Sequence, residues 1–406
     1  MFYNFLEIKI RRSLLTSLLL GVVVHVPTSH ARNGFIPHYV GAEGMVGGAG
    51  TACPLDATST IANPAALGKL NSHFIFNVGL IYQDQYLNTS RSVIGNPIGQ
   101  QKNQIRFIFP LTLGANVRFN EKWALGFMAT GGGGAIRYND SVTNPGGLVP
   151  PNGGFNKQTV NTVTLTATTL SYSPTPSQSY GISLLVATSI FKSDMAMPDG
   201  TQVTGRLSSD MVYGAGTRIG GIWDLNRCIT LGASVATPVY SQTHKKYDQL
   251  FGAHSFQIPA TARLGVTWHI SPATDFSFDL KELFYGYSKW VHRGQGWKNQ
   301  FIILTGVMHR FNENFTAGIG YNYGKTPIRN DKVIYNALSI PLDEHHLSGG
   351  IRYTFDNKKT ELFLMGYYIP HKKMTDNGQG FPFGLSKGIE IDNTSSGLEV
   401  GVKYNF

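Results

Sequence analysis

The chain has 406 residues, a formal net charge of +10, a mean hydropathy of −0.10 and only 14% charged residues, where about 25% is usual for a soluble globular protein. Together with 12% aromatics and 47 glycines, this argues against a charged soluble surface and suits strands that alternate a lipid-facing with a lumen-facing side chain. The basic residues are scattered rather than gathered on one face, which excludes the footprint of a nucleic-acid binder. After residue 31 no apolar run reaches the roughly 20 residues of a membrane helix.

Residues 1–31 read as an export signal. Lys9, Arg11 and Arg12 form a basic start, Ser13 to Val26 an apolar stretch too short to span a bilayer, and Pro27 breaks it. Ser29 and Ala31 place small residues where a signal peptidase needs them, so cleavage is expected after Ala31. Glu7, Lys9, Arg11 and Arg12 contribute +2, leaving +8 on the remainder.

Residues 32–72 lack strand alternation and are rich in Gly, Ala and small polar residues. A segment of this kind ahead of a barrel either hangs free as a tail or folds into the lumen and plugs it. Asp56 is placed to cap a short helix, and Asn63-Pro64 to open another with Pro in its first turn. Order is therefore expected, and a wide lumen has room for such a plug.

From residue 73 to Phe406 the period is two. Leu398, Val400, Val402, Tyr404 and Phe406 point one way, while Gly397, Glu399, Gly401, Lys403 and Asn405 point the other. Leu347, Ile351, Tyr353 and Phe355 repeat the pattern against His346, Ser348, Arg352 and Thr354, and Phe315, Ala317, Ile319, Tyr321 and Tyr323 repeat it against Thr316, Gly318, Gly320 and Asn322. The whole segment divides into fourteen strands, near 73–86, 105–119, 122–137, 161–173, 178–191, 209–224, 228–240, 257–270, 274–287, 298–311, 314–325, 344–356, 360–370 and 394–406. Short turns at Asn120-Glu121, Ser173 to Ser177, Asn226-Arg227, Ser271 to Ala273, Asn312-Glu313 and Asp356-Asn357 alternate with long links such as 138–160, 241–256, 326–343 and 371–393. The expected fold is thus all-β, a 14-stranded antiparallel transmembrane β-barrel with an N-terminal hatch plugging the lumen and both ends in the periplasm of a Gram-negative bacterium. Trp123, Tyr138, Trp223, Tyr240, Trp268, Tyr285, Trp290, Tyr353 and Tyr404 lie near strand ends, as interfacial girdles require.

The stretch GMVGGAGTACPLDATSTIANPAAL resembles the hatch signature of the long-chain fatty acid transporter family, the FadL type, which includes aromatic-hydrocarbon channels. The family's Gly-Phe start is matched by Gly34-Phe35, and its hatch pattern by Ala49-Gly50, Asp56-Ala57 and Asn63-Pro64-Ala65. Trp123 to Gly134, Ile258-Pro259-Ala260 with Leu264-Gly265-Val266, and Gly296-Trp297 through Thr326-Pro327-Ile328 resemble family strands, and the aromatic C-terminus resembles its insertion signal. The resemblance implies passive outer-membrane transport of hydrophobic molecules, most of all long-chain fatty acids. It also implies lateral release through a kinked third strand. Gly131, Gly132, Gly133 and Gly134 are the residues expected to kink, since consecutive glycines weaken strand pairing.

Enzyme chemistry is not expected. There is no GxSxG elbow and no HExxH zinc site, and neighbours His345 and His346 point to opposite faces of a strand. Gly214, Gly216 and Gly220, like Gly318, Gly320 and Gly324, miss dinucleotide spacing and more plausibly make room in the wall or bend a strand. No metal or other cofactor is expected. On strand 178–191, Leu185 and Phe191 share the inward face of Gly181 and Ser183, which leans towards apolar cargo. Arg106, Arg118, Arg218, Arg263 and Arg352 are candidates either to bind a cargo carboxylate or to anchor the hatch. Cys53 in the hatch and Cys228 beside a periplasmic turn could form a disulfide if they meet. The expected partners are fatty acids or hydrocarbons, outer-membrane lipid and lipopolysaccharide, with the barrel a monomer. A channel for other hydrocarbons, or an adhesin using loops 138–160 and 371–393, remain alternatives on the same fold.

Overall fold

A strand edge left unpaired in lipid strands its N–H and C=O groups, and closure into a barrel removes every edge. The computed structural model describes residues 40–92, 99–139, 158–194, 208–248, 258–288, 295–338 and 342–406. Residues 1–31, expected to be an export signal, therefore lie outside the described residues, as do Gly34, Phe35, Trp290 and most of the link 138–160. The barrel strands are β1 (His73–Asn88), β2 (in three pieces, Gln100–Lys102, Phe107–Ile108 and Leu111–Arg118), β3 (Trp123–Arg137) and β4 (Gln158–Thr175). There follow β5 (Gln178–Ser193), β6 (Asp210–Asp224), β7 (Ile229–Ala236, continued by Tyr240–Ser241), β8 (Ala260–Ser271) and β9 (Thr274–Phe284). The last are β10 (Gln300–Arg310), β11 (Phe315–Gly324), β12 (His345–Thr354), β13 (Thr360–Thr375) and β14 (Glu390–Asn405). Each is antiparallel to its neighbours, and β1 closes on β14 along its full 16 residues, from His73 opposite Asn405 to Asn88 opposite Glu390. The fourteen strands expected from the two-residue period are all present.

Burial follows that period. On β5 the residues from Tyr180 to Val186 alternate exposed and enclosed, with Ile182 and Leu184 outward and Ser183 and Leu185 inward. Ile319 is 70% exposed and Leu264 61%, and the outward aliphatic and aromatic side chains of β1, β12 and β14 form one band with them. Such a surface in water would cost about 25 cal/mol per Å², so it belongs against hydrocarbon. Trp123, Trp268, Tyr240, Tyr353 and Tyr404 are exposed on this outer face as girdle residues should be, and Trp223 is half-buried beside Tyr180. Tyr138 and Tyr285 are not girdle residues: both are buried inside, where Tyr138 donates to the Ala337 carbonyl and Tyr285 packs edge-on against Trp297. Their positions just past a strand end carry them inward over the lumen.

The turn end of the barrel is built by one repeated device. The side-chain oxygens of Asn120, Asn226, Asn312 and Asn357 each accept two backbone N–H groups, at 2.7–3.0 Å, from the residues two and three places on. Such Asx turns hold a tight reversal without help from the rest of the fold.

Residues 40–72 lie inside, at the turn end. They form three short 3-10 helices, Gly41–Val46, Ala57–Ile61 and Pro64–Lys69. Gly47, at a φ of 65°, closes the first, a left-handed conformation that favours glycine. Asp56 caps the second by accepting from the Thr58 N–H at 2.7 Å. Asn63 caps the third by accepting from Ala65, and Pro64 occupies its first turn. Both caps are those expected from the sequence.

Candidate functional site: a plugged lumen and a break in its wall

The hatch is held around the circumference by polar groups that reach inward from widely separated strands. Ser171 of β4 and Ser179 of β5 donate to the carbonyls of Pro64 and Ala65 at 2.6 and 2.7 Å, and Ser234 of β7 donates to that of Ala62. Asn63 donates to the Gly221 carbonyl of β6 and to Thr51 within the hatch, both at 2.9 Å. Asn322 of β11 donates to Gly47, and Glu399 of β14 accepts from the Gly41 N–H. Each bond contributes about 0.5–1.5 kcal/mol net, and together they tie the plug to strands around the barrel.

Four of the five candidate arginines serve this seating. Arg118 donates to the Gly68 carbonyl at 2.6 Å and Arg218 to that of Thr60 at 3.3 Å. Arg263 donates to Gly48 at 2.6 Å and pairs with Asp279 at 3.0 Å, while Asp279 also accepts from the Thr51 N–H. Arg352 pairs with Glu361, which pairs with Lys403, whose ammonium reaches the Leu55 carbonyl of the hatch. Arg106 differs. It is exposed, on the interrupted stretch of β2, and among the described residues only its backbone carbonyl is engaged, by the Gln83 N–H.

Wall glycines complete the seat. A Cβ at Gly320 would overlap the Gly47 backbone, one at Gly306 that of Val46, and one at Gly232 that of Thr51. The sequence signalled glycines as space-makers at 220, 318 and 320, yet nothing in it said that the space is taken by the hatch.

The disulfide that Cys53 and Cys228 could have made does not form. Both cysteines are free: Cys53 is buried among Ala42, Met45, Leu55 and Met308, and Cys228 is exposed at the outer side of its turn. Burial pushes the Cys53 thiol up to about 12.

Above the hatch the interior holds an apolar cluster beside buried polar side chains such as Gln83, Asn161, Ser189 and Asn393. One continuous cluster runs from Ile334 and Leu338 in the link after β11, through Leu165, Leu185 and Leu304 on the wall, to Ala49 and Ile61 of the hatch. Trp297, fully buried, donates from its indole to Asn336 at 2.6 Å, and so fixes the roof to the wall. Asp376 ties the roof further by accepting from the Ile334 and Gly378 N–H groups and the Ser386 hydroxyl.

The wall is broken beside Gly131 to Gly134, although the strand that departs is the one before them. β3 keeps a single register with β4 from Trp123 to Arg137, Gly131 to Gly134 included, so no bulge interrupts that pairing. The irregular strand is β2. It pairs with β3 only from Thr112–Thr130 to Arg118–Ala124, then leans onto β1 through Ile108 opposite Ile81 and Phe107 opposite Tyr82. It regains β3 at the bond from the Gln104 N–H to the Arg137 carbonyl. Pro110, which lacks a donor, lies in this stretch. Between those limits no backbone pair joins the two strands among the described residues. The gap is bounded below by the hydroxyl contact of Thr112 with Thr130 at 2.9 Å. It is bounded above by buried Asn103, whose side chain donates to the Ala135 carbonyl and accepts from the Arg137 N–H. Phe107 and Phe109 stand exposed on one side; on the other, a Cβ at Gly134 would meet open space.

A fourteen-stranded barrel with an internal N-terminal plug is the architecture of the FadL-type channels. The Pseudomonas putida toluene transporter TodX overlays with a TM-score of 0.70 at 15% identity, over 91% of this chain and 98% of that one. A Pseudomonas aeruginosa FadL homologue overlays at 0.65 with 14% identity, over 92% and 99% of the two chains. The Ralstonia pickettii toluene transporter TbuX overlays at 0.65 with 14% identity, over 91% and 98%. No family model and no curated protein matches the sequence. At these identities the shared feature is the fold.

Proposed function

We propose that this chain is a passive outer-membrane channel for hydrophobic molecules, delivered by the export signal 1–31, with long-chain fatty acids as the leading cargo. The observation that carries the reading is the unbroken apolar cluster from the roof to the hatch, next to a gap in the wall. Cargo enters among the external links, descends along Leu165, Leu185 and Leu304, and stops on the hatch around Asn63-Pro64-Ala65. A shift of the hatch then frees it to leave sideways between β2 and β3, past Gly131 to Gly134, into the membrane. That route spares the apolar chain a passage through water, which would cost about 25 cal/mol per Å² exposed. Arg106, exposed on the stretch of β2 at the gap, is placed to meet a cargo carboxylate there.

The decisive test replaces Gly131 to Gly134 with valine and isoleucine in a barrel that still folds. Uptake of labelled oleate is expected to fall at least ten-fold, and unchanged uptake would rule out the lateral route. A second cargo class, neutral aromatic hydrocarbons, is favoured by the engagement of four of the five candidate arginines with the hatch and wall rather than with cargo. Two of the similar structures are described as toluene transporters. Competition of toluene with oleate for uptake separates the two readings.

A further inference from the structure

His73, the first residue of β1, is fully buried on the inner face of the wall, at the turn end of the barrel. Its Nε2 accepts from the Ala57 N–H of the hatch at 2.8 Å, and its Nδ1 lies 2.7 Å from the Asn71 carbonyl. A backbone N–H can only donate and a carbonyl can only accept. The two bonds therefore fix one form of the ring: Nδ1 carries the proton and Nε2 is bare. The seat admits the imidazole only while it is neutral. A second proton goes onto Nε2, and there it faces the Ala57 N–H, donor against donor.

What His73 holds is the start of the second hatch helix. Ala57 is the first residue of that helix, directly after its cap Asp56. The helix packs on β1, β2, β3 and β4, among them the two strands at the gap. Ala57 lies so near β2 that a Cβ at Gly114 would come within 3.1 Å of the Ala57 methyl. The charges around the ring are mixed. Lys403 of β14 opposes a positive ring, whereas Asp56 of the hatch and Glu361 of β13 favour one. Lys403 and Glu361 pair with each other, Arg352 of β12 pairs with Glu361, and Arg118 of β2 is bound to Gly68. Asp56 already accepts from the Thr58 N–H and hydroxyl, so a charged ring that turned to it would compete with the cap. Asn71, two residues away, is exposed, and protons from water have a short way to the ring.

We propose that His73 is a proton-operated latch on the hatch: neutral, it holds the second hatch helix against the strands of the gap, and protonated on Nε2 it releases Ala57 and loosens that side of the hatch. The inference rests on the transport reading, since it makes the opening of that channel respond to acid. The proton comes from water, the ring becomes an imidazolium, and the bond from the Ala57 N–H is the one given up. Acid thus favours the loosened hatch, and the change is expected as pH falls below the ordinary imidazole value of about 6.5. Glu43, buried in the first hatch helix, titrates with the opposite sign, because burial raises its carboxyl. The conductance test is therefore made on Glu43→Gln barrels.

In planar bilayers the ion conductance of such barrels is expected to rise several-fold between pH 7.5 and pH 5. Adding His73→Gln, whose side-chain oxygen can accept from Ala57 but takes no proton, should keep conductance low and flat. Adding His73→Ala should leave it high at both pH values. The wild-type barrel supplies a reading that needs no variant to fold. Protection of its Ala57 amide from hydrogen exchange, corrected for the pH dependence of free amides, should fall about ten-fold or more over the same range. An Ala57 amide whose protection ignores pH, or the same conductance response in His73→Gln, overturns the proposal. Failure to take up oleate or toluene at every pH would instead sink the transport reading and leave the conductance result intact.

Discussion

Asn63 concentrates several roles in one side chain. It caps a hatch helix, ties that helix to Thr51, and ties the hatch to Gly221 of the wall. Asn63→Ala removes all three bonds and leaves two buried carbonyls short of a donor, so seating should weaken by about 1–3 kcal/mol. Faster proteolysis within residues 40–72 of a folded barrel is the expected readout. The cysteines give a sharper contrast: a maleimide should modify Cys228 within minutes and leave Cys53 untouched until the protein is unfolded. For Glu43 the linkage has a definite sign. Its carboxyl rises from 4.5 to about 8 on burial, so the closed hatch binds a proton that the free segment releases. That contribution is whole below pH 4.5 and is lost as pH climbs through 8. Protection of the hatch from protease should therefore decline between pH 5 and pH 9, and the decline should shrink in Glu43→Gln.

At the scale of single elements, the barrel strands were legible because each carries its own two-residue pattern, and a one-residue slip would turn every outward leucine inward. The caps at Asp56 and Asn63 were legible for a similar reason, since capping is chemistry among near neighbours. The place of the break in the wall was legible too, but not the strand that makes it. Four glycines in a row drew attention to β3, which keeps its register with β4 across all four and loses its partner on the other side. What moves is β2, whose departure depends on Pro110 and on Asn103, which substitutes a side chain for a missing strand partner. The role of Asn103 exists only once β2 and β3 are side by side. Replacing it with alanine should unpin the upper edge of the gap, and hydrogen exchange at the Arg137 amide should quicken about ten-fold or more, as loss of a buried bond worth about 1–3 kcal/mol implies.

For the whole molecule, hatch and wall act as one fitted pair. The plug was expected from residues 32–72, but its seats were not, because glycines such as Gly232, Gly306 and Gly320 read alike whether they bend a strand or admit a backbone. The arginines posed the same difficulty. Arg118, Arg218 and Arg263 look equivalent to Arg106 in sequence, and only the closed barrel sorts those that hold the hatch from the one beside the gap. Gly232→Val should leave the strands paired and displace the hatch at Thr51, and ion conductance across a planar bilayer should rise above the wild type's.

The spread of the hatch contacts has a consequence for how the molecule comes into being. Their partners lie on strands from β2 to β14, so no partial sheet offers the plug its place, and the place exists only when the last strand has met the first. The segment made earliest is thus the one that must wait longest. A waiting segment rich in leucine or phenylalanine would find other company. The run from Gly41 to Ala66 has only Met45, Val46, Leu55 and Ile61 as sizeable aliphatic side chains and no aromatic ring, and so can bide its time in water without sticking.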